Sequence, residues 1–389
     1  MRTVIQNGKI VIPKGVIDGS ILVVDNNNIS HIIEDENFVL VQTDQQEVEI
    51  IDADGCYVMP GLVDFHGDML ERAIQPRKKV FLPLNLALYS TQAQFLAAGI
   101  TTIFHPVAFA GEPGLRSNEM GNEIVREIAR FRKNETSMLR HFIHVRCELF
   151  NKAGLNTIGP LIEEGLADLF SIMDHSPRYS SFKSYVEYKN YVEKNSTFTA
   201  EELEAYAQMQ WEMPEEVDSE VIEKLMGLVA KYNIPFATHD DDSPLRVDTF
   251  RPRGASISEF PLNEATARYA LENNMYVVVG APNLLRNKSH SDNLSARTAI
   301  MNGLANIICS DYYCFALLAS VFILFEEGML LHEAVSYASL YPARASGLAD
   351  RIGSLEEGKA ADLILVRHTQ GKIPIVEKAM VAGRWTFSK

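Results

Sequence analysis

Between residues 58 and 350 the sequence alternates short apolar runs with helical stretches, and this rhythm constrains the fold more than any other feature. The strand-like runs are Leu62 to His66, Thr101 to His105, Phe142 to Glu148, Leu169 to Asp174, Pro235 to His239, Ile257 to Phe260, Met275 to Gly280 and Asn306 to Ser310. Short, largely apolar runs of this kind suit strands buried on both faces. Helical patterns lie between them, over Leu86 to Ala98, Asn118 to Arg132, Asn263 to Asn273 and Leu294 to Met301. Eight βα units in succession predict an α/β fold, a closed (β/α)8 TIM barrel. The longest apolar run, Tyr313 to Phe325, is too short to span a bilayer and predicts a buried helix.

The two ends have a different texture. Residues 1–57 read as short strands split by Asn7-Gly8, Asp18-Gly19 and Asp25-Asn26-Asn27-Asn28, and residues 352–389 read the same way. The expectation is a small composite β-sandwich domain made from 1–57 and 352–389, flanking a barrel domain over 58–351. Between the fourth and fifth strands, residues 178–232 are polar and rich in Tyr, Glu and Lys, and Thr199 to Glu202 has the spacing of a capping box. A helical excursion over the barrel mouth is expected there.

A formal net charge of −15 argues against nucleic acid or an anionic membrane as a partner, because the long-range field is repulsive. It leaves room for a small phosphorylated substrate, since a bound metal and local arginines can dominate a pocket. Met1 to Pro13 alternates like a strand and lacks the apolar core of a secretory signal. The four cysteines, Cys56, Cys147, Cys309 and Cys314, form no CxxC pair and read as free thiols. A cytoplasmic location is the expectation, and a homodimer is the expected assembly.

The chemistry is written at the ends of the strand-like runs. His66 and Asp68, His105, Glu148, Asp174 and His175, His239 with Asp240 to Asp242, Glu259, Asn283 and Asp311 all fall at or just after such ends. In a TIM barrel these ends form the catalytic face. Buried charges cost several kcal/mol each unless paired or bound to a cation, so acids and imidazoles gathered at one face predict divalent metal. Oxygen and nitrogen ligands without thiolate suit zinc first, with manganese or iron as alternatives. In an extended strand i and i+2 share a side, so His66 and Asp68 suit one metal. His175 and His239 suit a second, with Glu148 as the bridge and Asp311 as ligand and proton carrier. His105 reads equally as a core histidine, and His141, His144 and His332 read as structural or exposed.

These features resemble the amidohydrolase superfamily over essentially the whole chain. The matching segments are Val58 to His66, Gly99-Ile100-Thr101-Thr102, Ser310-Asp311, and Gly353 with Glu357 to Leu363. The superfamily's usual first motif is His-x-His, whereas here it reads His66-Gly67-Asp68. His-x-Asp is the form found in its diphosphatases of phosphonate metabolism, which the chain also resembles at Leu70-Glu71-Arg72, Arg146-Cys147-Glu148, Met173 to Pro177, Thr238 to Asp241, Gly280 to Asn283 and Ser289 to Asn293. The resemblance implies release of pyrophosphate from a ribose 1-phosphonate 5-triphosphate, with C–N bond hydrolysis as the alternative. A triphosphate needs cationic and hydrogen-bonding partners. Arg72, Arg77, Arg146, Arg178, Asn283 and His290 are the candidates, while Arg116 and Arg286 taken singly read as surface charges.

Overall fold

The computed structural model describes residues 1–34, 47–77, 79–177, 182–196, 198–212, 219–286 and 294–389. Its centre is a barrel of eight parallel strands. They are β1 (Leu62–Asp64), β2 (Ile100–Phe109), β3 (Arg140–Glu148), β4 (Leu169–Met173), β5 (Phe236–His239), β6 (Ile257–Glu259), β7 (Tyr276–Gly280) and β8 (Ile307–Cys309). Each is hydrogen-bonded to the next in chain order. All eight predicted runs are strands. β2 extends beyond the predicted run to Phe109, which moves His105 from a strand end to mid-strand. Alternation then decides its face: Phe104 packs inside the barrel against Phe65 and Phe142, and His105 turns outward onto Phe95.

The ring closes without a β1–β8 ladder. Near the base, the backbone of residues 337–338 fills the gap: Ala338 O accepts from Val63 N and Tyr337 O from Ile308 N, both at 2.9 Å. At the mouth the two ends meet directly, through a parallel bridge between Gly67 and Asp311. Asp311 N donates to His66 O at 2.8 Å, and Asp68 N donates to Asp311 O at 2.7 Å. A Cβ on Gly67 would come within 2.7 Å of Asp64 Oδ2 and 2.9 Å of Ser310 Oγ, so the bridge needs glycine there.

The helices α1 (Leu84–Ala97), α2 (Asn118–Phe131) and α3 (Lys152–Glu163) cover the first strands. Ser117 and Asn151 cap α2 and α3 by accepting from Met120 N and Gly154 N. After β4 the chain leaves the barrel as a hairpin of α4 (Tyr185–Asn195) and α5 (Ala200–Trp211). The capping box at Thr199 and Glu202 starts α5. The hairpin has its own small core of Tyr188, Val192, Leu203 and Ala207. The next helix, α6 (Ser219–Lys231), buries Ile222, Leu225, Met226 and Val229 in the main core and packs beside α3. The excursion expected over 178–232 therefore includes a helix of the barrel wall. Tyr313 to Phe325 also folds as expected, its central part lying in a helix, Phe315–Glu326, with mostly buried side chains.

Both chain ends form a separate, mainly antiparallel sheet of eight strands. Its middle is Leu363–Arg367, Tyr57–Pro60 and Arg2–Ile12, side by side. Ile5, Ile10, Leu22, Val24, Val58, Leu363 and Met380 pack together on it. Tyr57–Pro60 runs into β1 across Gly61, where a Cβ would lie 2.1 Å from Thr101 Oγ1. The sheet thus hands its chain to the barrel just before the first candidate ligands. Among the described residues no helix is long and apolar enough to cross a membrane.

Candidate active site

The closing bridge builds the first part of the site. It holds His66, Asp68 and Asp311 side by side, and Asp64 stiffens it from below. Asp64 is fully buried and accepts from Ser310 N at 2.8 Å and Ser310 Oγ at 2.5 Å. Asp311 leaves β8 with φ +54°, and Asp240 and Phe260 leave β5 and β6 with φ +54° and +57°. None of the three is glycine, and left-handed backbone of this kind is costly for such residues. The strain aims Asp240 and Asp311 into the mouth. Asp241 anchors the β5 end by accepting from Thr238 Oγ1 at 2.5 Å and Ser258 Oγ at 2.6 Å.

A cavity of about 310 Å³ opens at this mouth, lined by His66, Asp68, Arg116, Arg146, His175, His239, Asp240, Phe260, Asn283 and Asp311 among others. Two sets of side chains converge closely enough to hold a cation. One is His66, His239 and Glu259, and the other is His175, His239 and Asp240, with ligand atoms within 4.8 Å of one another in each set. His239 is common to both. His66 Nδ1 lies 3.2 Å from Glu259 Oε1, His239 Nδ1 3.1 Å from Asp240 Oδ2, and His175 Nε2 3.4 Å from the same oxygen.

Electrostatics tie the cluster together. Burial and Arg146 disfavour the His66 imidazolium, but hydrogen bonds to Asp68 and Glu259 outweigh them and hold its pKa up to about 10. The neighbouring Glu148 raises His175 to about 10. Burial opposes ionisation of Glu259, yet His144 and His66 bring it down to about 2. Asp68 and Asp240 are held well below the usual carboxylate range, against burial, by His66 and by His239 with His175 respectively. Burial pushes the Asp311 carboxyl up. A divalent cation would replace these protons as the counter-charge. Among the described residues the buried Glu259 Oε2 makes no hydrogen bond, which leaves a carboxylate lone pair beside His66 for a cation. The donor set fits a divalent metal.

Of the sequence candidates, His66, Asp68, Arg146, His175, His239, Asn283 and Asp311 share this cavity. Glu148 stands apart from both converging sets, 2.6 Å from His175 Nδ1, and faces an adjoining chamber. Glu259 supplies the carboxylate of the first set and Asp240 that of the second. Arg72 is exposed with its guanidinium over the Tyr312 ring at 5.5 Å, and Arg77 is exposed on the following loop; neither lines the cavity. Arg178 and His290 lie outside the described residues. Arg116, read from sequence as a surface charge, is in the cavity wall, held by Glu71 at 2.9 Å. Its place between the β2 end and the α2 cap was the available signal. His144 is wholly buried beneath the site, 2.9 Å from Ser171 Oγ and 3.7 Å from Glu259 Oε2.

An eight-stranded barrel whose mouth gathers imidazoles and carboxylates from β1, β4, β5, β6 and β8 defines a metal-dependent hydrolase. The model of the amidohydrolase family matches residues 147–386. A relative from Escherichia coli (strain K12), alpha-D-ribose 1-methylphosphonate 5-triphosphate diphosphatase, is 31% identical over 96% of this chain and 97% of its own. The chain belongs to the amidohydrolase family. Solved structures agree on the fold. N-acetylglucosamine-6-phosphate deacetylase from Pasteurella multocida superposes with a TM-score of 0.63 at 14% identity, covering 99% of both chains. A Xanthomonas campestris adenosine deaminase with bound zinc gives 0.64 at 16%, covering 99% of this chain and 93% of its own.

Proposed function

We propose that this hydrolase cleaves a phosphoanhydride, releasing pyrophosphate from a ribose 1-phosphonate 5-triphosphate in phosphonate catabolism in the cytoplasm. The observation that carries the reading is Arg146. The residue is 6% exposed, lines the metal cavity, and its guanidinium faces the ring nitrogen of His239 at 3.0 Å and Asp68 at 3.9 Å. Among the described residues its Nε makes no hydrogen bond. A buried cation so weakly paired is costly unless an anion arrives, and a phosphate is the anion a planar guanidinium fits best. Arg116 sits in the same wall. The diphosphatase named above supports the substrate.

His66, His239 and Glu259 would hold one divalent ion, and His175 and Asp240 would offer ligands to a second, with zinc as the first choice. Such ions supply acidity to a bound water and absorb charge on the phosphoryl oxygens. The chain's own residues do the rest. Arg146 and Arg116 hold the phosphates, and Asn283 donates from the far wall. Asp311, beside the metal ligands, takes the proton of the attacking water. The water oxygen bonds to the α-phosphorus, the α–β bridging P–O bond breaks, and pyrophosphate leaves with the electron pair. Phe260 walls the cavity and excludes bulk water. The test is pyrophosphate release from the ribose 5-triphosphate with added Zn²⁺ or Mn²⁺. No release above a metal-only blank, together with turnover of an amide, would move the reaction to C–N bonds.

A further inference from the structure

A second chamber of about 320 Å³ adjoins the metal cavity, between the barrel mouth and the α4–α5 hairpin. Arg116, Arg146 and His175 belong to both walls. Each chamber lies near the lower end of the roughly 300–1,000 Å³ usual for small-molecule sites. Their chemistries differ. Around the metal cavity the carboxylates are gathered against imidazoles and a cation would neutralise them. In the second chamber Glu71 is paired with Arg116 and Glu148 with His175. Glu112 has no ion pair among the described residues and instead accepts from Tyr206 OH at 3.3 Å. Aromatic faces from the hairpin, Tyr191 and Tyr206 among them, complete the wall.

We propose that this second chamber seats the sugar of a sugar polyphosphate, with Arg116 and Arg146 gripping the phosphate that joins the two chambers. The assignment rests on the phosphoanhydride reading above. A free polyphosphate tail is repelled by Glu112 and belongs on the metal side. The ribose ring itself is uncharged, offers O–H donors to a carboxylate, and has apolar C–H faces that lie against aromatic rings. Burial raises the Glu112 carboxyl above its ordinary range, which a hydroxyl donor would offset. The aromatic rings come from the hairpin and Glu112 from the loop after β2, so the sugar bridges excursion and barrel.

The experiment is calorimetric titration of the metal-loaded enzyme with ribose 5-phosphate and, separately, with inorganic pyrophosphate. Glu112→Ala and Tyr191→Ala should each weaken ribose 5-phosphate about tenfold, the scale of one hydrogen bond to a charged group, and leave pyrophosphate within twofold. Glu112→Gln, which keeps the shape and an acceptor, should recover part of the loss. Equal weakening of both ligands, an unchanged ribose 5-phosphate affinity, or no binding of ribose 5-phosphate to the wild type at millimolar concentration would overturn the assignment. Those outcomes are independent of turnover. Selective loss of ribose 5-phosphate without pyrophosphate release from any triphosphate would keep the chamber and discard the reaction.

Discussion

Two groups of histidines in this protein behave in opposite ways. His105 and His141 lie behind the barrel wall, stacked 5.1 Å apart and packed on Phe95 and Phe131. His105 Nε2 is 2.8 Å from His141 Nδ1. Burial lowers both, His141 to about 3. His66, buried at the mouth, and His175, exposed beside it, are both raised to about 10. The difference is company. Apolar rings leave an imidazole neutral, whereas carboxylates at hydrogen-bond distance make it a cation or invite one. Burial and residue type alone do not mark a site; the density of acids around the ring does.

The comparison is broken most strongly at Asp311. Asp311→Asn should lower kcat by about 10²–10⁴-fold with folding and metal content intact, whereas His105→Phe should leave kcat within twofold. Steady-state rates and metal analysis decide, and an active Asn variant would remove the proton-transfer role. Next comes Glu259→Gln, which takes a charge from the His66 set. Metal affinity should fall by at least about 10–100-fold in a chelator competition, and unchanged affinity would transfer its place to Asp68. Arg116→Ala should raise KM for a triphosphate about tenfold or more, and Arg77→Ala should leave it within twofold. The reverse order would restore the exposed arginines as the phosphate grip.

The smallest effect concerns the neutral pair. An imidazole whose folded pKa lies below its unfolded value of about 6.5 contributes stability above that value and loses it as pH falls toward the folded one. At pH 5.5 the loss is about 1.4 kcal/mol per such group. Urea midpoints at pH 7.5 and 5.5 should therefore differ more in the wild type than in a His105→Leu, His141→Leu double variant. Equal differences would mean that the fold does not lower the pair's pKa values.

Most of the barrel was legible because each strand is an apolar run ending in polar residues, and eight in a row leave few alternative folds. Which strand-end groups meet was less legible. Glu148 and His175 both stand at adjacent strand ends, but Glu148 turns to the neighbouring chamber, a choice made by loop geometry. Glu259 was visible at its strand end, yet its contact with His66 joins residues 193 positions apart in the chain. His105 was misplaced because β2 runs four residues past it, to Phe109. Arg116 was discounted because a lone arginine in a loop looks like solvent-facing charge until the α4–α5 hairpin is set beside it. Arg72 and Arg77 show the converse: proximity in sequence to the first ligands did not carry them into the cavity.

The unladdered join between β1 and β8 has a mechanical consequence. The barrel is a hoop whose two ends are clasped by the same few residues that form the catalytic floor. Whatever fastens to His66 also fastens the hoop, so loading the site and tightening the frame are a single event. Chelating the metal should therefore lower the melting temperature of the whole barrel and hasten hydrogen exchange at Asp68 and Asp311, whose amides form the clasp.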